Sequence, residues 1–173
     1  MALNSINDLK AAISRGNGLA ATNRFNVIMT PPRGIASIPQ EFTILCENAS
    51  FPGKQILTAD YGLLRQTEKM PTGYMNEEVV FTFLLTNQYS MKRIFESWLD
   101  TVLNVNRYRA AYKNDYSADV VIQQLDKENT VVYEVKLKEA FPITVSAIGF
   151  DNAAENSVQK MTVTMAFTDY EVN

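Results

Sequence analysis

Hydrophobic and polar residues alternate over several short stretches of this sequence, which is the pattern of strands with one buried face. In the first stretch, Phe25, Val27 and Met29 occupy every second position. Pro31 and Pro32 follow, and proline has no amide hydrogen to donate to a neighbouring strand. We therefore expect a strand that begins at Phe25 and ends before the two prolines.

The alternation resumes at Phe42, Ile44 and Cys46, which predicts a second strand. This strand should end near residues 51–53, because a Phe-Pro-Gly sequence combines a fixed φ angle with a flexible glycine and is typical of a turn. At strand spacing, Cys46 is expected to be a small core residue and not a nucleophile.

A long segment, residues 53–76, separates this strand from an apolar strand at residues 79–85, which should be central in its sheet because both of its faces are largely apolar. A plain loop of this length is unusual in a compact domain, so we expect an extended hairpin that leaves the body of the domain. The large apolar side chains of the segment are Ile56, Leu57, Tyr61, Leu63, Leu64, Met70 and Tyr74. A lone hairpin is marginally stable in water, so these side chains should require a covering surface.

The clearest helical periodicity lies in residues 90–103, where apolar side chains recur every three or four positions. They are Met91, Ile94, Phe95, Trp98, Leu99 and Val102. This periodicity predicts a helix that docks on the sheet through one apolar stripe. The expected core residues of the helix are Ile94, Phe95, Trp98 and Leu99.

The remaining elements complete the prediction. Ser5 followed by Asp8 resembles the start of a short helix, which we place in an N-terminal arm of residues 1–24. Further strands are expected over residues 118–125, 131–138 and 159–170, with a short one near residues 144–148. The expected fold is a single domain over residues 1–173, mostly β (α+β), an antiparallel β-sandwich or barrel with one docked α-helix and an extended hairpin.

Composition argues against several classes of function. The chain carries 16 basic and 19 acidic side chains, a formal charge of −3, so it lacks the basic surface of a protein that binds phosphates tightly. It contains no histidine, the commonest general base and metal ligand, and we expect no catalytic site, no metal and no cofactor. The single cysteine excludes an intrachain disulfide. No stretch approaches the ~20 apolar residues that cross a bilayer, so no membrane partner is expected.

Basic and aromatic residues interleave in one segment that follows the predicted helix. They are Arg107, Tyr108, Arg109, Tyr112, Lys113 and Tyr116. Such a pattern could stack on and pair with single-stranded nucleic acid. It serves equally well to contact an acidic surface of another protein, and we favour this second interpretation because the chain as a whole is acidic.

Several stretches, in their order and spacing, resemble the tail-tube protein family of contractile-tailed bacteriophages. The resemblance begins with Gly18-Leu19-Ala20 and Asn23-Arg24-Phe25-Asn26-Val27 and continues with Cys46-Glu47-Asn48-Ala49-Ser50-Phe51-Pro52, which is similar to a Cys-x-x-Ala-x-x-Pro ending. It extends through the strand at residues 79–85, the helix with Phe95 and Trp98, Tyr112-Lys113, Phe141-Pro142, residues 145–150 and residues 163–170. Residues 31–40 and 61–74 depart from the family pattern.

The resemblance implies a structural virion protein of the phage tail, made in the cytoplasm of the host bacterium. The implied partners are further copies of the chain in stacked hexameric rings, the tail sheath protein around the tube, the tape-measure protein and then DNA in the lumen, and baseplate and tail-terminator proteins at the ends. In such a tube, residues 53–76 would contact a neighbouring subunit. A tube-like baseplate initiator or a subunit of a related contractile injection system has the same implied fold. The alternatives of another class are a small ligand-binding β domain and a small enzyme.

Overall fold

The structure, a computed structural model, describes residues 5–35, 38–39, 41–63, 66–104, 109–153, 155 and 157–173, with the backbone alone at residues 63 and 66. The helices are α1 (Ile6–Arg15), α2 (Phe42–Leu45), α3 (Ser90–Val102) and α4 (Lys113–Tyr116). The strands are β1 (Phe25–Met29), β2 (Cys46–Ala49), β3 (Lys54–Leu63), β4 (Gln66–Asn76), β5 (Val79–Leu84), β6 (Leu103–Asn104), β7 (Arg109–Ala110), β8 (Ala118–Leu125), β9 (Val131–Val145), β10 (Lys160–Ala166) and β11 (Asp169–Val172).

Two antiparallel sheets share the long strand β9. The first part of β9 pairs with β8 and β11, which gives the order β1-β8-β9-β11, here called the β1 sheet. Its last part pairs with β10, which gives the order β9-β10-β5-β2, here called the β5 sheet. Glu139 has a φ of 52° where β9 passes from one sheet to the other. The predicted mostly antiparallel β fold with few helices is confirmed.

One apolar core lies between the two sheets. Alternate residues of the strands point into it, and the fully buried ones include Val27, Phe81, Phe83, Leu137 and Val163. Helix α3 adds three buried side chains, Met91, Phe95 and Trp98. Strand β5 lies between β10 and β2, which confirms its predicted central position. Burial of large side chains at about 1.5 to 3 kcal/mol each, as an upper bound, stabilises this arrangement.

The predicted strand from Phe42 is wrong in its first half. Phe42 begins the helical turn α2, and the strand begins only at Cys46. Phe42 and Cys46 are buried while Ile44 is 79% exposed. A spacing of four residues suits one face of a helix as well as one face of a strand, so only the exposure of Ile44 distinguishes the two.

The C-terminal strands also differ from the prediction. The expected strand over residues 159–170 is two strands, β10 and β11, which belong to different sheets. Strand β9 is longer than the predicted residues 131–138 and includes Thr144 and Val145. The expected separate strand near residues 144–148 therefore does not form, because its first residues continue β9.

The predicted N-terminal helix is present as α1. The Ser5 side chain accepts a hydrogen bond from the Asn7 amide, and Asp8 completes a capping box with the Ser5 amide at 2.8 Å. None of the residues of α1 is buried. No helix in the described ranges is long and apolar enough to cross a membrane.

Candidate assembly interface

The predicted hairpin residues lie on β3 and β4, which pair with each other along their whole length. Ile56, Leu57, Tyr61, Met70 and Tyr74 are between 43% and 62% exposed. Leu63 ends β3, but its side chain and the whole of Leu64 lie outside the described residues. The described members of the predicted set are thus apolar side chains that the subunit itself leaves open to solvent.

The register of the hairpin divides this set between two faces. Side chains alternate along each strand, and directly paired residues share a face. Leu57, Tyr61 and Met70 lie on one face, here called the hairpin face, because Tyr61 pairs with Glu68 and Met70 with Ala59. Ile56 pairs with Tyr74, and both lie on the opposite face.

Contacts at the base of the hairpin connect that opposite face to the body of the subunit. The Lys54 ammonium lies 4.7 Å from the ring centroid of Tyr74 and 4.8 Å from that of Tyr170 in β11. The Glu77 amide donates to the Gly53 carbonyl at 2.8 Å, where the two strands of the hairpin rejoin the sandwich. These contacts orient the hairpin. The hairpin face is directed away from the cluster of Lys54, Tyr74 and Tyr170.

The β5 sheet has two edges without a strand partner in the part of the chain that the structure describes. One is the outer edge of β2, and the other is the edge of residues 141–145 opposite β10. The β1 sheet differs, because α2 packs beside β1 and the Thr43 hydroxyl donates to the Val27 carbonyl at 2.8 Å. Unpaired edges present N–H and C=O groups that can pair with a second chain.

The outward face of the β5 sheet is neutral over its central part. Directly paired residues on this face are Thr82 with Thr162 and Asn48, and Thr164 with Val80 and Thr144. Within the strands, the charged side chains of this face are Lys160 and Glu47, which form an ion pair at 2.6 Å at one end of the sheet. Hydroxyl and amide groups therefore dominate this surface.

The outward face of the β1 sheet is ionic. Lys136 pairs with Asp119 at 2.8 Å, Lys138 pairs with Glu171, and Gln123 donates to Glu134 at 2.6 Å. The hydrogen bond to Asp119 raises the pKa of Lys136, and the hydrogen bonds from Gln123 and Asn173 lower the pKa of Glu134. The face carries Asp119, Glu134, Asp169 and Glu171 against Lys136 and Lys138, and four carboxylates minus two ammonium groups leave a charge of −2.

The predicted core residues of the helix occupy two environments. Phe95 and Trp98 are fully buried, and the Trp98 indole N–H donates to the Tyr116 carbonyl at 2.6 Å. Ile94 and Leu99 are half-buried, because they lie at the two margins of the stripe that Met91, Phe95 and Trp98 form. The helix docks as predicted, although its core contact is narrower than the predicted set.

The basic and aromatic segment does not form a continuous stacking surface where it is described. Arg107 and Tyr108 lie outside the described residues. Tyr116 packs against the Phe141 ring at 5.1 Å, and Lys113 pairs with Glu139 at 2.6 Å. Tyr112 is 78% exposed.

Catalytic and ligand chemistry has little support among the described residues. They contain no cluster of three or more histidine, cysteine, aspartate or glutamate side chains that could hold a metal ion. Burial raises the pKa of the Cys46 thiol to about 12, so it stays protonated and unreactive near neutral pH. A cleft beside Arg24 and Leu125 holds about 170 Å³, which is small for a site that encloses an organic ligand, and a larger cleft of about 740 Å³ beside Phe25 and Asn48 lies open on the surface.

Sequence reasoning missed several exposed apolar residues. Met75 lies on the hairpin face beside Leu57 and is 51% exposed. Ile44, Phe150 and Val158 are 79%, 78% and 63% exposed on other segments. Isolated apolar residues in irregular segments give no periodic signal, so only their solvent exposure identifies them.

Comparisons with known proteins agree with these observations. A family model described as phage tail tube protein matches residues 20–173. The tail tube protein gp19 of Enterobacteria phage T4 is 23% identical, and the alignment covers 96% of this chain and 99% of gp19. The family resemblance in the sequence is thereby confirmed.

Solved structures share the fold. A chain of the anti-feeding prophage (AFP) baseplate, 6-fold symmetrised, aligns with a TM-score of 0.66 and 19% identity over 90% of this chain and 95% of that one. A chain of the sheath/tube terminator of PVC, an extracellular contractile injection system, aligns in the extended state with a TM-score of 0.65 and 15% identity over 88% and 95%.

Proposed function

The chain belongs to the phage tail tube protein family, and on this premise we propose that it forms hexameric rings that stack into the inner tube of a contractile tail. A tail tube protein is a structural component of the virion and not an enzyme. Six copies per ring are supported by the 6-fold symmetrised AFP baseplate, which contains a chain of similar fold. Two surfaces of the subunit also support assembly from repeated copies of one chain. They are the edges of the β5 sheet and the exposed apolar side chains of the hairpin.

The observation that carries the proposal is that neither edge of the β5 sheet has a strand partner among the described residues. In a ring, the β2 edge of one copy would pair with residues 141–145 of the next copy. Closure of the ring would leave no edge of this sheet exposed, which removes the hazard of uncontrolled strand pairing. The β1 sheet could not extend in this way on both sides, because α2 covers its β1 edge.

We infer that the neutral outward face of the β5 sheet lines the lumen. Its opposite face is buried in the core of the subunit, so the face of Thr82, Thr162 and Thr164 is the one available to a channel. Without lysine or arginine at its centre, this surface would release no counterions from DNA and would let DNA pass without binding it. The ionic face of the β1 sheet would then point outward.

The other partners follow from the same placement. The tail sheath protein would surround the ionic face, and the tape-measure protein and later DNA would occupy the lumen. Baseplate and terminator proteins would contact the two ends of the tube. Contacts of this kind are supported by the chains of similar fold in the AFP baseplate and in the PVC sheath/tube terminator.

The edge contact can be tested by cross-linking. Asn48→Cys in β2 and Thr144→Cys in β9, both exposed on the outward face of the β5 sheet, should form disulfides between copies, and a non-reducing gel should show a ladder that ends at six subunits. Buried Cys46 should not take part. Ile28→Cys with Glu171→Cys, on the two edge strands of the β1 sheet, is the matched control and should give no ladder. Strictly monomeric protein at high concentration, or a ladder from the control pair alone, would contradict the proposed ring.

We propose further that the hairpin is needed for assembly more than for folding. Replacement of residues 55–74 by a short Gly/Ser turn should leave a soluble β-rich protein by circular dichroism, because none of the buried core residues in the described part of the chain lies in the hairpin. The same variant should form no tubes in negative-stain electron microscopy. Unfolding of the variant would place the hairpin in the core of the subunit, and normal tubes would show that the contact does not exist.

A further inference from the structure

Two segments of the chain pass between the β1 sheet and the β5 sheet at the same place. Strand β9 enters the β5 sheet at Phe141, which is paired with Ala166 at the end of β10. The segment between β10 and β11, residues 167–168, makes the reverse passage. The Thr168 amide donates to the Lys138 carbonyl at 3.1 Å, so the two passages lie side by side.

Three polar side chains meet at these passages. The Lys113 ammonium lies 2.6 Å from the Glu139 carboxylate and also donates to the Thr168 hydroxyl. The Thr168 hydroxyl donates to the same carboxylate at 2.7 Å. The hydrogen bonds from Lys113 and Thr168 lower the pKa of Glu139, so its carboxylate is ionised at neutral pH. We call Lys113, Glu139 and Thr168 the crossing cluster.

Glu139 is held in a backbone conformation that its residue type does not favour. Its φ of 52° lies in the left-handed region, which residues other than glycine rarely adopt. A residue stays in that region only where the surrounding structure holds it there. The ion pair with Lys113 and the hydrogen bond from Thr168 are contacts that hold it.

Helix α4 connects the crossing cluster to the core. The indole N–H of the fully buried Trp98 donates to the Tyr116 carbonyl at 2.6 Å, and the Tyr116 ring packs edge-on against the Phe141 ring at 5.1 Å. Lys113 lies at the other end of this short helix and contacts Glu139. The helix thus holds β9 on both sides of the point where the strand changes sheet.

The crossing cluster lies beside one of the two β5 sheet edges that have no strand partner in the described part of the chain. Residues 141–145 form this edge and begin two positions after Glu139. Their pairing with β10 is irregular, because Ile143 is an extra residue between the partners of Thr164 and Met165. A bulge bends its strand, so the direction of this edge depends on how its first residues are held.

We propose that Glu139 is a positioning residue that, through Lys113 and Thr168, holds residues 141–145 in the direction needed to pair with β2 of the next copy. The proposal rests on the proposed ring and adds the side chain that prepares one of its edges. An edge that is already oriented loses less conformational entropy when it pairs than an edge that is free to move. Loss of the carboxylate should therefore weaken ring closure and leave the subunit folded.

The test is the variant Glu139→Gln, which keeps the size of the side chain but accepts hydrogen bonds more weakly because it is uncharged. At a concentration where the wild-type protein is partly assembled, the fraction in rings should fall by about tenfold in mass-resolved chromatography, because the contacts around a ring multiply a small loss at each one. The unassembled variant should melt close to the wild-type temperature, because the ion pair is partly exposed. Glu171→Gln, which breaks the exposed ion pair with Lys138, is the matched control and should leave rings unchanged.

Amide hydrogen exchange tests the positioning role in the subunit alone. In the unassembled Glu139→Gln variant, the amides of residues 141–145 and 164–166 should exchange about tenfold faster than in the wild type, because the end of this strand pair is no longer held. The amides of β8 should exchange at the wild-type rate.

A second set of variants identifies the charged partner. Lys113→Gln should reproduce the loss of rings, whereas Lys113→Arg, which keeps the positive charge, should form rings close to the wild-type level. The double variant Lys113→Gln/Glu139→Gln should lose no more than either single variant, because all three remove the same ion pair.

The outcomes separate this proposal from the proposed ring. Wild-type exchange rates or a wild-type fraction of rings in Glu139→Gln would overturn the positioning role and leave the ring standing. An equal loss of rings from Glu171→Gln, or a melting temperature of Glu139→Gln far below that of the wild type, would indicate a general effect of charge or folding and also overturn it. Absence of rings from the wild-type protein would contradict the proposed function itself, and the exchange measurement would still decide whether Glu139 holds the edge.

Discussion

The sandwich and the hairpin are both apolar β structure, but they bury their side chains in different ways. All of the buried hydrophobic residues in the described part of the chain lie in the sandwich or on the helices α2 and α3. None lies on β3 or β4, although the hairpin carries Ile56, Leu57, Tyr61, Met70 and Tyr74. Apolar composition alone therefore does not decide whether a residue is in the core.

The difference has a simple physical cause. A strand buries an apolar face only when a second layer covers it, and the sandwich provides that layer through its opposite sheet. The hairpin has two strands and one layer, with side chains of Leu57 and Tyr74 on opposite faces. The sandwich can thus fold on its own side chains, whereas the apolar side chains of the hairpin stay exposed in the subunit, and we propose that a neighbouring copy covers them.

Replacement of Trp98 by alanine should have the largest effect on stability. Trp98 is fully buried and its indole N–H binds the Tyr116 carbonyl, so the variant loses packing and leaves that carbonyl without its partner. We expect a loss of about 3 to 5 kcal/mol in the free energy of unfolding, measured by urea denaturation. Leu99→Ala, at a half-buried position on the same helix, should lose clearly less. If the two variants lost the same free energy of unfolding, α3 would not dock through the face that carries Trp98.

Replacement of Lys54 by glutamine should have an intermediate effect, at the junction of the two regions. The variant loses the ammonium group between Tyr74 and Tyr170, which is expected to cost about 0.5 to 1 kcal/mol at an exposed site. Amide hydrogen exchange should increase in β3 and β4 and stay unchanged in β5. Lys69→Gln, farther along the hairpin, is the control. Faster exchange throughout the sandwich would mean that this cluster supports the core as well.

The double variant Leu57→Ser/Tyr61→Ser should have the smallest effect on stability. Leu57 and Tyr61 are 43% and 62% exposed, and substitutions at exposed sites usually change the free energy of unfolding by no more than about 0.5 kcal/mol in either direction. Thermal melting of the unassembled protein should therefore be close to that of the wild type, while tube formation is lost. A large drop in melting temperature would show that the hairpin side chains, like those of the sandwich, stabilise the subunit itself.

The parts of the fold with long regular periodicity were predictable from the sequence. The stripe of Met91, Phe95 and Trp98 predicted α3, and the alternation of Val79, Phe81 and Phe83 predicted β5. The turn at α2 was not predictable in the same way, because the four-residue spacing of its buried positions fits a helix and a strand equally. The hairpin was expected from its length and apolar content, but its two faces were not distinguished.

The sequence by itself determined that this chain is a mostly β protein without histidine and with one docked helix. It also determined that residues 53–76 form a long segment with many large apolar side chains. These properties depend on residue type and on spacing within short segments. Only the tertiary structure decided that β9 belongs to two sheets, that residues 159–170 divide between them, and that neither edge of the β5 sheet pairs with another strand in the described ranges. Each of these depends on pairing between segments distant in the chain, and local periodicity contains no information on which strand lies beside which.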